Sequence, residues 1–145
     1  MNRVNTQRLR KLFQLSFREL LVLIQALLSL PLVRIALRFT TVARLQTMKA
    51  VSLSFNAGLS VETIARMVQI AANHGIYRAK CLEQSLVLHW FLLRQGIASR
   101  IVIGTRKENG QVQVHAWVKV NGVPLNDHED VEQRFPSFEG SLVDT

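Results

Sequence analysis

Cysteine is the scarcest informative residue in this chain of 145 residues, because Cys81 is the single one. One cysteine excludes an internal disulfide framework and a cysteine-rich zinc site. No set of histidines and carboxylates has a recognisable metal-ligand spacing, and no glycine-rich phosphate loop occurs. We therefore expect neither a metal ion nor a cofactor. The thiol is either a buried small hydrophobe or a reactive group, and a reducing cytoplasm suits the reactive group.

Acidic residues are almost missing from the first third of the chain. Residues 1–49 contain nine lysines and arginines but one acid, Glu19, whereas residues 50–145 contain nine of each kind. The net charge of +8 therefore originates in the N-terminal part. Such an asymmetry suggests an acidic partner, a membrane surface or nucleic acid, although a solvated basic helix face would have the same composition.

The uncharged run near the N-terminus is shorter than a typical bilayer span. Residues 20–33 are uncharged, but this run has fourteen residues, and a span needs about 20. We interpret the run as a buried or interfacial helix, and it lacks the cleavage site of a signal peptide. Pro31 should kink or end that helix, and residues 32–48 should form a second one.

The apolar fraction of 48% is sufficient for a folded core. We expect a basic helical region over residues 1–55 and one folded domain over residues 56–145. The protein should be cytoplasmic, with residues 1–49 able to contact a membrane surface.

The remaining sequence predicts helices followed by an antiparallel sheet, which is an α+β fold. Ser60 is a candidate N-cap for a helix over residues 61–73. Residues 81–95 have apolar side chains at a period of 3.6 residues, and Gly96 is a candidate C-terminal cap.

Strand patterns follow this helix. Residues 100–105 predict a short buried strand, residues 107–110 a turn, and residues 111–120 a strand with strict alternation. The valines and Ala116 face one side of that strand, and Gln113, His115, Trp117 and Lys119 face the other. Because Trp117 shares the face of His115, we expect the Cys81 helix or a substrate to cover it.

Cys81, His115 and Asp127 are the candidate catalytic residues. A thiol, an imidazole and a carboxylate can act as nucleophile, general base and orienter of the base. Cys81 lies at the predicted start of a helix, where the macrodipole and the nearby Arg78 and Lys80 favour the thiolate. The alternative for Cys81 is a structural cysteine in the core, and the alternative for His115 is a surface histidine on a solvated face of the sheet.

The second Asn-Gly pair, at residues 121–122, leaves the pairing of His115 open. A two-residue loop would place His115 opposite His128 and turn Asp127 to the other face of the sheet. A three-residue loop over residues 120–122 would place Asp127 directly opposite His115, with Cβ atoms about 5 Å apart. The sequence fits both loops. The remaining histidines are weaker candidates: His89 within the Cys81 helix, His74 near a helix end, and His128 under the alternative register.

Five motifs, in this order, resemble the lasso-peptide B protein family, the leader peptidases of microcin J25-type maturation. They are residues 81–86 (CLEQSL), 92–97 (LLRQGI), 101–104 (IVIG), 115–118 (HAWV) and 125–127 (LND). The helical N-terminal third resembles the split form of the family, in which a separate small protein recognises the leader. The chain departs from the family at residues 77–80 (YRAK), where a lead-in containing proline is usual.

The resemblance implies a transglutaminase-like cysteine-protease fold without a cofactor. It also implies that Cys81 attacks the bond between leader and core, that His115 is its base and that Asp127 orients His115. The implied partners are the precursor peptide, the leader-recognition protein and the lasso cyclase, with no nucleic acid. Two alternatives stay open. The first is a transamidating or non-catalytic module that docks a partner or membrane through residues 1–49, the basic arm. The second is a basic helical binding protein in which Cys81 is incidental.

Overall fold

A computed structural model describes residues 15–47 and 58–137. In these ranges the elements are α1 (Phe17–Phe39), α2 (Val42–Thr47), α3 (Val61–His74), α4 (Cys81–Arg94), β1 (Arg100–Glu108), β2 (Gln111–Val120), β3 (Val123–Pro124) and α5 (Val131–Arg134). Helices thus precede a three-stranded antiparallel sheet, and the predicted α+β class is confirmed. The rest of the predicted basic region, residues 1–14 and 48–55, lies outside the described residues.

The helix ends follow local capping chemistry. Ser60 Oγ accepts the backbone N–H of Thr63 at 3.2 Å, which confirms the predicted N-cap of α3. At the end of α4, Gly96 has φ +72°, and the backbone N–H of Ile97 donates to the carbonyl of Leu92 at 3.0 Å. This is the Schellman arrangement in which a left-handed glycine ends a helix.

Of the two predicted effects of Pro31, the end of the first helix is wrong, because α1 runs through Pro31 to Phe39. A proline inside a helix removes one hydrogen bond and costs roughly 3 kcal/mol. Burial of Ala26, Leu30 and Val33 on either side of it offsets that cost, since tertiary packing dominates helix stability. The predicted second helix over residues 32–48 is also wrong: Thr40 is extended, and only the short α2 follows.

α4 lies at the centre of the molecule. It packs against the helices α1, α2 and α3 and against the strands β1 and β2. One continuous hydrophobic core joins Val22 of α1, Ile64 of α3, Leu86 of α4 and Val118 of β2. α1 is therefore part of the core, and the boundary predicted near residue 55 stays a prediction.

The sheet has the order β1-β2-β3, and β1 continues to Glu108, beyond the predicted end at residue 105. The face of β2 that carries the valines and Ala116 is buried at Ala116 and Val118, but Val112 and Val114 are 66% and 62% exposed. Packing on α4 therefore covers only the C-terminal half of this face.

The loop between β2 and β3 has two residues. Val120 pairs with Val123, while Asn121 and Gly122 have φ +51° and +83°. Two consecutive left-handed residues form the type I′ turn typical of Asn-Gly hairpins. The three-residue alternative is thus excluded, and β3 itself has only two residues.

Candidate active site

His115 and Asp127 lie in direct contact. His115 is in the middle of β2, paired with Gly104 of β1, and its Nε2 is hydrogen-bonded to Asp127 Oδ2. The two side chains are 26% and 13% exposed, so the pair is partly shielded from water but still reachable. The prediction that a two-residue loop would turn Asp127 away from His115 is wrong.

Asn126 explains why His115 and Asp127 meet although β2 and β3 are joined by a two-residue loop. The backbone N–H of Leu125 still donates to the carbonyl of Val118 at 2.9 Å. The backbone N–H of Val118 donates to the side chain of Asn126 (Oδ1) at 2.7 Å. Because the Asn126 side chain accepts the backbone N–H of Val118 in place of a backbone carbonyl, the main chain leaves the ladder at this point. Asp127 is then free of the strand's alternation and reaches His115.

The carboxylate of Asp127 is held by three donors. Besides His115 at Oδ2, Oδ1 accepts the backbone N–H of His128 at 2.7 Å and Nη2 of Arg134 at 2.8 Å. Burial alone would raise the pKa of Asp127, but the hydrogen bonds from His115, His128 and Arg134 together hold it below its ordinary value.

The ionised state of Asp127 assigns the tautomer of His115. An ionised carboxylate has no proton to donate, so the hydrogen between the two side chains belongs to Nε2 of His115. In the neutral ring the unprotonated nitrogen is then Nδ1. This atom is the one able to accept a proton from a nucleophile.

The C-terminal segment covers the His115 face of the sheet. Trp117 is fully buried against Val131 and Phe135, and the Phe135 ring lies 4.9 Å from the His115 ring, between centroids. The prediction that the Cys81 helix or a substrate covers Trp117 is therefore wrong, because α5 and the residues after it do so.

Gly104 permits this close cover. A Cβ atom on Gly104 would lie 2.4 Å from the carbonyl oxygen of Phe135 and 2.9 Å from the Trp117 ring. The backbone N–H of Thr105 donates to the carbonyl of Pro136 at 3.2 Å, and Gly104 forms a bridge with Ser137. The segment after α5 thus lies directly on β1, and only a residue without a side chain fits beneath it.

Cys81 is the first residue of α4, and its thiol is free and half-buried. Glu83 Oε2 accepts the backbone N–H of Lys80 at 2.9 Å, which caps the helix start but leaves the N–H of Cys81 without an intrahelical acceptor. Among the hydrogen bonds of the described residues, that of His115 Nε2 goes to Asp127, and none joins His115 to the thiol. Its catalytic role stays a prediction.

Ser85 connects α4 to the histidine–aspartate pair. It lies one turn after Cys81, on the same side of the helix, and is fully buried. Asn126 Nδ2 donates to Ser85 Oγ at 3.2 Å. The loop that carries Asp127 is therefore attached to α4 one turn from the thiol.

The other candidate histidines have different surroundings. His89 is 8% exposed within α4, its Nδ1 lies 2.7 Å from Ser99 Oγ, and burial lowers its pKa. His128 is exposed and contributes its backbone N–H to Asp127. In the described part of the chain, no group of three or more histidines, cysteines or carboxylates could hold a metal ion.

Sequence reasoning gave no role to Asn126, Arg134 or Gly104. Asn126 was visible in the motif beside Asp127, but its contacts join residues far apart in the chain. Arg134 is four residues after Asp130, and its Nε lies 3.3 Å from Asp130 Oδ1. That spacing predicts a helical ion pair and gives no indication of the contact with Asp127.

Comparison with known proteins assigns one family. A family model described as the transglutaminase-like superfamily matches residues 13–138. No curated protein and no solved structure matches the chain. The match covers most of the chain, from α1 to the segment after α5.

Proposed function

Because this chain belongs to the transglutaminase-like superfamily, which includes cysteine peptidases, we propose that it is a cysteine peptidase. Its substrate in this proposal is a lasso-peptide precursor, from which it removes the leader. The hydrogen bond between His115 Nε2 and Asp127 carries the proposal, since it leaves Nδ1 as a base. The five ordered motifs from Cys81 to Asp127 support this choice of substrate class.

The proposed reaction has two steps. His115 Nδ1 accepts the proton of the Cys81 thiol, and the sulfur attacks the carbonyl carbon of the bond between leader and core. The carbon–nitrogen bond breaks, the released amine takes the proton from His115, and the leader stays attached as a thioester. Water, deprotonated by His115, then hydrolyses the thioester, which releases the leader carboxylate and restores the thiol.

Local structure supports the roles in this mechanism. The backbone N–H of Cys81 at the start of α4 is a candidate donor for the oxyanion. Asp127 holds the ring of His115 in one orientation and stabilises its protonated form. Partners in this proposal are the precursor peptide, a leader-recognition protein and a lasso cyclase that uses the new N-terminus of the core, and the protein acts in the cytoplasm.

The alternative proposal is a transamidating or non-catalytic module that docks a partner or a membrane through its basic helical arm. The charge excess of residues 1–49 favours it, and the same Cys-His-Asp chemistry permits acyl transfer to an amine. The two proposals differ in what resolves the thioester: water gives a free leader carboxylate, and an amine gives an amide.

Alkylation of Cys81 by iodoacetamide tests the nucleophile first. Cys81 is the single cysteine of the chain, so the labelled mass identifies the site. We expect fast labelling at neutral pH in the wild type and slow labelling in His115→Ala. His128→Ala is the matched control, because it keeps its backbone N–H on Asp127 and should label like the wild type. Equal rates in all three proteins would contradict an activated Cys81–His115 pair.

Cleavage of a lasso precursor, in the presence of its leader-recognition protein, tests the reaction. Mass spectrometry should detect free leader and core with the wild type. We expect a loss of at least about a thousandfold for Cys81→Ala and His115→Ala, and a smaller loss for Asp127→Ala. A leader hydroxamate formed from added hydroxylamine, with no free acid, would indicate transamidation. Fast alkylation without cleavage would argue against this substrate and leave the thiol chemistry intact.

A further inference from the structure

α1 has two apolar faces, and the protein core covers only one of them. Val22, Ala26, Leu30 and Val33 are buried in the core. The opposite face has seven large apolar side chains, each at least 42% exposed: Phe17, Leu20, Ile24, Leu28, Leu32, Ile35 and Phe39. They recur every three or four residues along a helix about 35 Å long. An exposed apolar face of this length marks an interaction surface.

The charged residues of α1 and of the sequence before it are almost all positive. Residues 1–18 contain Arg3, Arg8, Arg10, Lys11 and Arg18 and no acid. Glu19 caps the helix start through the backbone N–H of Ser16 and forms an ion pair with Arg66 at 2.9 Å, so its charge is offset. Arg34 and Arg38 lie near the other end of the helix. Arg18, Arg34 and Arg38 of α1, which we call its basic flank, therefore leave the helix with a net positive charge.

We propose that the outer face of α1 binds the surface of an anionic lipid bilayer. Large apolar side chains beside clustered lysines and arginines are typical of helices that lie in the membrane interface. Negatively charged headgroups complement the basic flank, and each nearby cation contributes about 1 kcal/mol to binding. A second copy fits less well, because a symmetric pairing of these faces would bring two basic flanks together.

The contacts of α1 with the protein core determine the orientation of the helix relative to the bilayer. By length and composition it could span a membrane: residues Phe17–Phe39 have a mean hydropathy of 2.3 over their most apolar window. A spanning helix would have to withdraw Val22, Ala26 and Val33 from the protein core. In the folded protein the helix therefore lies parallel to the membrane plane, with its inner face on α3 and α4. This placement is independent of the proposed peptidase activity.

Sedimentation of the full chain with lipid vesicles tests the proposal. We expect binding to vesicles with about one quarter phosphatidylglycerol, weaker binding to pure phosphatidylcholine, and a decrease as salt is raised. Leu28→Glu combined with Leu32→Glu should lower the partition coefficient at least tenfold, because two exposed side chains at 64% and 65% become charged. Deletion of residues 1–14 should weaken binding to the anionic vesicles.

The matched control is Val112→Glu combined with Val114→Glu. These residues are also apolar and 66% and 62% exposed, and the change in net charge is the same, but they lie on the β1-β2 hairpin. The control should bind vesicles like the wild type, and circular dichroism should show that both double variants are folded.

Four outcomes would overturn the proposal. The first is no sedimentation of the wild type at low salt. The second is equal loss in both double variants, which would indicate a general charge effect. The third is a dimer of the wild type that Leu28→Glu with Leu32→Glu converts to monomers, which would assign the outer face to a second copy. If deletion of residues 1–14 strengthens vesicle binding, that segment covers the face and the proposal is also wrong.

Discussion

At the scale of single residues, Asn126 connects three parts of the site. Its side chain accepts the backbone N–H of Val118 and donates to Ser85 of α4, and the next residue is Asp127. Asn126 is thus a positioning residue: it ends the strand pairing and determines where the carboxylate lies. An asparagine suits this place because its amide group carries both an acceptor and a donor.

We predict that Asn126→Ala lowers the free energy of unfolding by about 2 kcal/mol, because the buried N–H of Val118 loses its acceptor. Ser85→Ala is the matched comparison, since it removes one hydrogen bond of Asn126 and keeps the other, and we expect a loss of about 1 kcal/mol. Urea unfolding measures both values. A smaller loss in Asn126→Ala than in Ser85→Ala would contradict the role assigned to the Val118 contact.

Asp127 makes the folded state sensitive to acid. Its pKa is lower in the folded protein than the ordinary value, so its contribution to stability is present above the unfolded pKa of about 3.9. That contribution is lost as pH falls through the lower, folded value. We predict that the free energy of unfolding of the wild type falls on acidification below about pH 4. The free energy of unfolding of Asp127→Asn should fall less steeply over the same range. Parallel curves for the two proteins, from urea unfolding at several pH values, would contradict this prediction.

At the scale of elements, the packing of the C-terminal segment on the sheet depends on Gly104. We predict that Gly104→Ala lowers the free energy of unfolding by about 1–3 kcal/mol. The reason is that the new Cβ would meet the backbone oxygen of Phe135, which cannot rotate away as a side chain would. Displacement of that segment should also expose Trp117 and shift its fluorescence to longer wavelength.

Gly122→Ala is the control for this substitution. Gly122 has φ +83°, and nothing lies within 4 Å of an added Cβ. The cost there is about 1 kcal/mol of backbone strain, without a shift in tryptophan fluorescence. A fluorescence shift in Gly122→Ala that matches the one in Gly104→Ala would show that the signal reports general destabilisation.

At the scale of the whole molecule, α1 has one buried and one exposed apolar face. The inner face of α1 completes the core that also contains α3, α4 and β2. The outer face is available for an external surface. Any experiment that removes the arm therefore removes part of the core.

We predict that a chain without residues 1–49 does not unfold cooperatively. The deletion removes six buried side chains, Val22, Leu23, Ala26, Leu30, Val33 and Leu45. Burial of a large one contributes about 1.5–3 kcal/mol, and a domain's net stability is about 5–15 kcal/mol. Thermal unfolding followed by circular dichroism checks this, with deletion of residues 1–14 as the control that keeps α1. A cooperative transition at the wild-type temperature would show that α1 is dispensable for folding.

The sequence by itself determined the parts of this protein that depend on neighbours in the chain. The cap at Ser60, the glycine at the end of α4 and the Asn-Gly turn at residues 109–110 follow from local backbone chemistry. The α+β class follows from the change of apolar period from helix to strand. Ordered motifs pointed to the transglutaminase-like superfamily, to which the chain belongs.

Tertiary structure decided what depends on residues distant in sequence. Pro31 stays inside α1 because the buried side chains around it outweigh one lost hydrogen bond. Trp117 is covered by α5 because Gly104 lets a later segment approach the sheet. His115 meets Asp127 despite a two-residue loop because Asn126 bonds to Val118 and Ser85. The alternation of side chains predicts which face of a sheet a residue occupies only while the strand is hydrogen-bonded to its neighbour. Where a side chain such as that of Asn126 replaces a backbone acceptor, the pairing stops and the alternation no longer applies.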